Sequence, residues 1–525
     1  MYSFALCRIL VVSRFVSFSL RMFSAKHSYE DAVHKLNSLQ SNKATIDQVL
    51  KDIKNGLKCT NLENMKNYLL RTGVTLSNLD ELSVIHVAGT KGKGSTSAMC
   101  ESILRHHGYR TGFYSSPHLV AVRERIRLDG RIVSEEKFAR YFHQVYDMLD
   151  ASKAFEEDMP KYFVFLTVLA YNVFLKEKVD VAIVEVGIGG SVDSTNVIRK
   201  TPVVGITALG LDHTSILGDK LSQIAAAKAG IMKPGAEAYT VRQPPEAMQV
   251  LEEVARTVQC TLKVVPEYNS YTFLNGYKTK LQANLEAYQT NASLAIQLAH
   301  SWMRLAKLAT PLRMKSIISG KVILQHGFKE LDVPYLIDSQ KYQEYDVTSV
   351  IPKETVAGLE ECKWPGRYQV LEASYATLFL DGAHTKESMD ICGEWFRQCS
   401  RNRDKVLIFS ATGERNAGVL LTPLRNLGFN HVYFVIPTAY KSTTINNDNY
   451  SAVEHKDLVL RCQRNAEVWE QLHGGKTKTF ILESVSEALI SIKNNKAQKP
   501  AVLVTGSLHL VGATLSIIDP NLSCT

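Results

Sequence analysis

At 525 residues the chain exceeds what one ordinary hydrophobic core supports, so two domains are expected. Its composition, 45% apolar and 22% charged, is that of a globular chain, and no apolar run nears the ~20 residues that span a bilayer, so no transmembrane segment is expected. Four units of the net charge of +9 belong to Arg8, Arg14, Arg21 and Lys26; the remainder is weak support for nucleic-acid binding and suits small polyanionic ligands.

Nine cysteines are scattered singly from Cys7 to Cys524, without the close pairs of a metal knuckle or a CxxC redox site, which indicates reduced thiols. Residues 1–27 are rich in Arg and Ser, poor in acid and apolar between the charges, the composition of a mitochondrial transit peptide. Arg14 splits the apolar run and argues against a secretory signal, and Met22 offers a second start that would leave a cytosolic form.

Residues 28–75 read as helical, with apolar positions at Ala32, Leu36 and Leu39 and then at Leu50, Ile53 and Leu57. From residue 82 to about 240, short apolar strands alternate with helical stretches, which predicts a mostly parallel sheet covered on both faces. The clearest strands there are Val84–Val87, Gly112–Tyr114, Val181–Val186 and Val203–Thr207. Residues 311–362 are weakly periodic and carry the predicted domain junction. A second alternation follows at Ala376–Leu380, Lys405–Phe409, His431–Val435 and Ala501–Val504, with a polar, Asn-rich surface loop over 439–458. The predicted organisation is α/β throughout: a first domain over 28–355 and a smaller Rossmann-like one over 356–525.

The first strand runs into Gly89-Thr-Lys-Gly-Lys-Gly-Ser95, and a helix with apolar Ala98, Met99, Ile103 and Leu104 follows, closed by Gly108. Glycines let a backbone fold around an anion so that its N–H groups and the helix N-terminus face phosphates. Lys93 adds charge for the outer phosphates, and the Ser95 hydroxyl suits Mg²⁺. The strict phosphate-loop expression fails, because Val87 stands where a Gly is required and Gly94 follows the lysine. The strand and helix on either side supply the context that the motif needs, and the loop reads as a nucleoside triphosphate site.

Ligands in open α/β sheets sit beyond the carboxyl ends of the strands. Those ends deliver Ser115-Ser116-Pro117-His118, then Glu185 with Gly187–Gly190, Asp193, Thr195 and Asn196, then Asp212-His213-Thr214. Oxygen donors with one imidazole suit Mg²⁺ bridging nucleotide phosphates. Glu185 weighs most, since an acid on an apolar central strand is costly to bury without a cation or hydrogen bonds.

Seven motifs occur in order: the phosphate loop, Ser115-Ser-Pro-His-Leu119, Val184-Glu-Val-Gly-Ile-Gly-Gly190, Leu211-Asp-His-Thr214, Trp364-Pro-Gly-Arg367, Leu380-Asp-Gly-Ala-His384 and Val504-Thr-Gly-Ser-Leu-His509. Together they resemble the folylpolyglutamate synthase family of the Mur-ligase superfamily in its eukaryotic form, from about residue 28 to the C-terminus. The resemblance implies that Gly89, Thr90, Lys91, Gly92, Lys93, Gly94 and Ser95 cradle ATP, with Arg367 and Asp381 completing that site across a cleft. It implies Mg²⁺ on Ser116, Glu185 and His213, with a monovalent cation such as K⁺ as a further cofactor. His384 and Ser507 would receive L-glutamate, and the Gly187–Asn196 loop would border a reduced folate. Lys228 matches a lysine that relatives carbamoylate near the metal.

Ala227 departs from the Glu usual before that lysine, so a plain Lys228 stays open, and Tyr288 replaces a common His before Gln289 and Asn291. The implied chemistry is ATP-dependent γ-linked addition of L-glutamate to tetrahydrofolates through an acyl phosphate, with Lys93, His384 and Lys228 as the catalytic set. His384 would orient the amine, take its proton or bind a carboxylate. The partners implied are ATP, reduced folates and L-glutamate, with no nucleic acid, in a monomer of mitochondria and cytosol. The alternative is a dihydrofolate synthase or another Mur-type amide ligase, with the same ATP chemistry and a different acceptor.

Overall fold

A computed structural model of the chain describes residues 27–40, 60–273, 279–318, 350–412, 415–441, 447–449, 453–474, 477–495 and 499–522. All but the last residue of the predicted transit peptide (1–27), Leu50, Ile53, Leu57, part of the predicted junction and part of the predicted 439–458 loop lie outside the described residues. The fold is α/β, built on two main sheets.

The first sheet contains β1 (Val84–Ala88), β2 (Thr111–Tyr114), β3 (Ile126–Leu128), β4 (Arg131–Ile132), β5 (Val181–Glu185), β6 (Val203–Ile206), β7 (Glu237–Thr240) and β8 (Thr261–Val264), in the order β4-β3-β2-β5-β1-β6-β7-β8. All pairings from β2 to β8 are parallel, and only the β3 and β4 edge is antiparallel. β1, β2, β5 and β6 are buried at every position, as the apolar runs require of strands covered on both faces. One face packs under the helices Tyr29–Ser38, Glu135–Ala151 and Tyr162–Glu177. The other packs under Lys93–His106 and the long helix Glu286–Ile318.

The predicted junction region holds more structure than its weak periodicity suggests. β9 (Thr272–Phe273) and β10 (Val350–Ile351) pair as a small parallel ribbon, and the helix Lys353–Glu361 lies against Lys93–His106. The approach is close enough that a Cβ on Gly358 would meet Ile103 Cα at 2.6 Å. The boundary expected between 355 and 356 falls inside this helix.

The second sheet runs β11 (Gln369–Glu372), β12 (Thr377–Leu380), β16 (Ala501–Thr505), β13 (Lys405–Phe409), β14 (His431–Val435) and β15 (Lys478–Leu482), parallel except for β11. Its two faces are filled by separate apolar cores, one around Trp395, Phe396 and Trp469 and the other around Leu378, Ile408 and Val504. All eight predicted strands are present within a residue of their predicted ends. Most of those missed are very short or lie at edges, where half-exposed sequences such as Lys478–Leu482 lack a continuous apolar run. β7 is interior and is missed because Glu237 and Thr240 interrupt its apolar pattern.

Candidate active site

β1 sits between β5 and β6, and the register aligns Val87 with Glu185 and Ala88 with Ile206. The residues leaving these three strands therefore emerge side by side. Past β1 the chain turns through Gly89 (φ +149°) and Gly92 (φ +89°) into the helix Lys93–His106. A Cβ at Gly89 would lie 1.8 Å from Thr207 Oγ1, and one at Gly92 would lie 2.2 Å from Asn291 Oδ1, so both positions exclude any larger residue. The Thr90 and Lys91 N–H groups donate to the Ala208 carbonyl (3.0 and 3.1 Å), and the Thr90 hydroxyl donates to Gly210 O (3.0 Å). This pins the loop to the segment that continues into Asp212 and His213. Trp364 covers Gly94, where a Cβ would approach its ring to 3.1 Å.

Glu185 is 4% exposed, and its Oε2 accepts the Ser116 N–H at 3.2 Å. Burial pushes its carboxyl above the usual range, and the charges of Lys93, Arg367 and Arg125 oppose that. A buried carboxylate with one backbone donor and three distant cations suits a metal ligand. His213 is held in the left-handed region (φ +51°), with its N–H on Asp212 Oδ1 at 3.0 Å. Burial lowers its basicity and the Lys93 and Lys228 charges lower it further, against the pull of Asp212, so the imidazole is available as a neutral donor. Carboxylate, hydroxyl and imidazole, together with phosphate oxygens, fit Mg²⁺. No group of three His, Cys, Asp or Glu side chains is assembled for a metal among the described residues, and this set contains only two. Asp193 does not join it. Its oxygens accept from the Thr195 N–H and hydroxyl and from the Ile188 N–H, which shapes its own loop.

Lys228, near the end of the helix Leu221–Ala229, donates from Nζ to Gly89 O at 2.8 Å while only 4% exposed. Burial, then repulsion from Lys93, lowers its pKa from 10.5 to about 7. The unfolded chain therefore binds more protons between those values, and the buried amine costs stability progressively as pH falls from 10.5 towards 7. Lys228→Met is expected to gain on the parent protein as pH falls through that interval, by up to about 1.4 kcal/mol for each pH unit crossed. Denaturant melts of both proteins at several pH values check this; a constant difference across the range would contradict it. The Gly187–Asn196 loop packs on the same helix, since a Cβ at Gly190 would meet Ala227 O at 2.7 Å.

The second sheet contributes from the other side. Asp381, just past β12, accepts the Tyr368 N–H (3.0 Å) and the Ala383 N–H (2.9 Å), and burial raises its pKa to about 6 against the nearby Arg367. The turns carrying Arg367 and His384 are thereby tied together, with Gly382 N–H on Gly366 O at 3.2 Å. His384 Nδ1 lies 2.9 Å from Gly382 O, which makes it the protonated nitrogen and leaves Nε2 to accept from Lys91 Nζ at 3.0 Å. The same Lys91 ammonium donates to Asp212 Oδ2 at 3.1 Å. Burial lowers the His384 pKa to about 4, so the ring is neutral at physiological pH. Burial alone would raise Asp212, but the Lys91 ammonium on its Oδ2 holds it well below the usual carboxylate range. Lys91 thus bridges the two units. Ser507 is 2% exposed and caps the helix Leu508–Ile518, accepting from Leu510 N–H.

Residues 366–517 match the family model "Dihydrofolate synthetase, C-terminal domain". "Folylpolyglutamate synthase, mitochondrial" of Bos taurus is 36% identical, over 94% of this chain and 93% of its own length. The chain belongs to the folylpolyglutamate synthase family. The Saccharomyces cerevisiae (strain FostersO) folylpolyglutamate synthase is 35% identical over 99% of this chain and 91% of its own. Two bacterial folylpolyglutamate synthase structures share the fold. The apo form of the L. casei protein has a TM-score of 0.65 at 22% identity, covering 94% of this chain and 99% of that one. The Mycobacterium tuberculosis protein, complexed with ADP and AMPPCP, has a TM-score of 0.63 at 22% identity, covering 90% and 98%.

Within this folylpolyglutamate synthase family site, two contributors are not legible in the sequence. Asp212 stands out only as a member of its motif, and its pairing with Lys91 comes from the docking of two neighbouring loops of the first unit. Arg415 lies in a polar stretch of sequence after β13 with no local signal. Its charge nevertheless acts on Lys91, His213 and His384, and it is half-buried with Nη1 donating to the Thr412 hydroxyl at 3.0 Å. Tyr288 packs in the core, 2% exposed, while Asn291 abuts Gly92.

Proposed function

We propose that this site adds L-glutamate in γ-linkage to reduced folates at the expense of ATP. The observation that carries the reading is the convergence of the phosphate loop, Glu185 and Lys228 on one side with Asp381 and His384 on the other, joined through Lys91. A carboxylate does not acylate an amine in neutral water, because it would have to expel an oxide-like group. The folate γ-carboxylate therefore attacks the ATP γ-phosphoryl, releasing ADP and forming an acyl phosphate. The α-amine of L-glutamate adds to that carbonyl, and the tetrahedral intermediate expels phosphate to leave the amide.

The protein supplies position and charge compensation. Lys93 and Arg367 offset the meeting of three anions. Ser116, Glu185 and His213 would hold Mg²⁺, which when bound neutralises phosphate charge. His384, neutral and with Nε2 directed at an ammonium, is suited to accept a proton from the incoming amino group once that group takes the place of Lys91. Lys228, with its amine near neutrality, is suited to add CO₂ as a carbamate, releasing one proton. Closure of the two units would keep water from the acyl phosphate.

Mass spectrometry of a tetrahydrofolate monoglutamate incubated with ATP, Mg²⁺ and L-glutamate tests the reading. A ladder of products rising by glutamyl units is the expected result. Extension of a pteroate with no extension of the folate would reassign the chain to dihydrofolate synthesis. The mitochondrial relatives support a mitochondrial form, and a cytosolic form beginning at Met22 completes the proposal. Sequencing mature N-termini from both compartments checks it.

A further inference from the structure

The predicted surface loop over 439–458 does more than face solvent. Its residues Asn447–Asn449 reach across to the first unit and satisfy a specific set of backbone groups. Between β2 and β3 the chain runs irregularly, so its N–H and C=O groups have no sheet partners and must be matched elsewhere. The Glu124 carboxylate takes the N–H groups of Leu119, Val120 and Ala121. The Val122 N–H donates to Asp448 Oδ1 at 2.7 Å, and the Leu119 and Val120 carbonyls accept from Asn449 Nδ2 at 3.0 and 3.1 Å. The Tyr29 hydroxyl donates to the same Asp448 oxygen at 2.6 Å, and His118 Nε2 lies 3.1 Å from the Asp448 carbonyl. Leu119 is also pressed from the second unit's last helix, where a Cβ on Gly512 would meet Leu119 O at 2.1 Å.

Contacts from this loop run towards the Gly187–Asn196 loop, which the family resemblance places beside the folate. Arg125 Nε donates to His118 Nδ1 at 3.0 Å, and its guanidinium lies 5.4 Å from the Tyr162 ring centre. The neighbouring Phe163 packs on Gly187, where a Cβ would meet its ring at 2.5 Å, so the contacts run on to the Gly187–Asn196 loop. The phosphate loop rests mainly on Thr207, Ala208 and Asn291, and touches the helix beside the Gly187–Asn196 loop through Lys228.

We propose that Asp448 is a positioning residue of the ligase: from the second unit, it fixes the His118–Val122 loop and through it the wall that receives the folate. The assignment rests on the ligase reading above. Asp448→Ala should raise KM for a tetrahydrofolate monoglutamate by about fivefold or more while KM for ATP stays within about twofold. Asp448→Asn keeps an oxygen acceptor for Val122 and Tyr29 and should restore the folate KM to near the parent value. A folate KM unmoved by Asp448→Ala, or equal rises for folate and ATP, would overturn the assignment. If Asp448→Ala does not fold, Tyr29→Phe combined with Asn449→Ala is judged by the same split. A parent protein that forms no product from folate would overturn the ligase reading itself, which separates that failure from the failure of Asp448.

Discussion

Lys93→Ala is expected to lose about 10²-fold or more in turnover, the scale seen when one preorganised charge-stabilising group is removed. Lys93 opens the helix after the phosphate loop, and its charge acts on Glu185, His213 and Lys228 together. It therefore stands where the transferring phosphoryl group would add negative charge to a carboxylate already buried. Water replaces a fixed charge poorly beside the buried Glu185, and the other cation, Arg367, comes from the second unit. The fold should survive, since removing Lys93 also relieves its repulsion of Lys228. Single-turnover ADP formation, read beside a thermal melt, checks both halves; turnover within a few-fold of the parent would remove Lys93 from the chemistry.

Glu185→Gln should separate function from stability. Turnover is expected to fall by about 10²-fold or more and to lose its saturation with Mg²⁺, because an amide oxygen is a poorer ligand for a hard cation than a carboxylate. Stability should hold or improve, since burying an isolated carboxylate costs several kcal/mol and Ser116 N–H can donate to the amide oxygen as well. Titrations of rate against Mg²⁺ and denaturant melts of both proteins would decide it. A variant that melts much earlier and keeps its Mg²⁺ response would make Glu185 a structural acid.

Much of the fold was legible because its central strands are buried on both faces. Val84–Ala88 is apolar except for His86, and Val181–Val184 is apolar up to Glu185, which local pattern identifies. The edge strands were not, since Gln369–Glu372 alternates and Lys478–Leu482 is half-exposed, and their pairing depends on a neighbour already in place. The residues at the strand ends could be chosen by type. Their separation into ligands and scaffolding could not: Glu185 and Asp193 are both buried acids, yet only Asp193 finds its partners within its own turn.

The sequence by itself determined the two α/β units, the phosphate loop and the family, since glycine spacing, apolar runs and motif order are local properties. Tertiary structure decided which groups meet. Lys91 meets His384 across 293 positions of chain, and Tyr29 meets Asp448 across 419. Such pairings follow from how two independently formed sheets dock, and hydrogen-bond partners at that separation leave no periodicity to read.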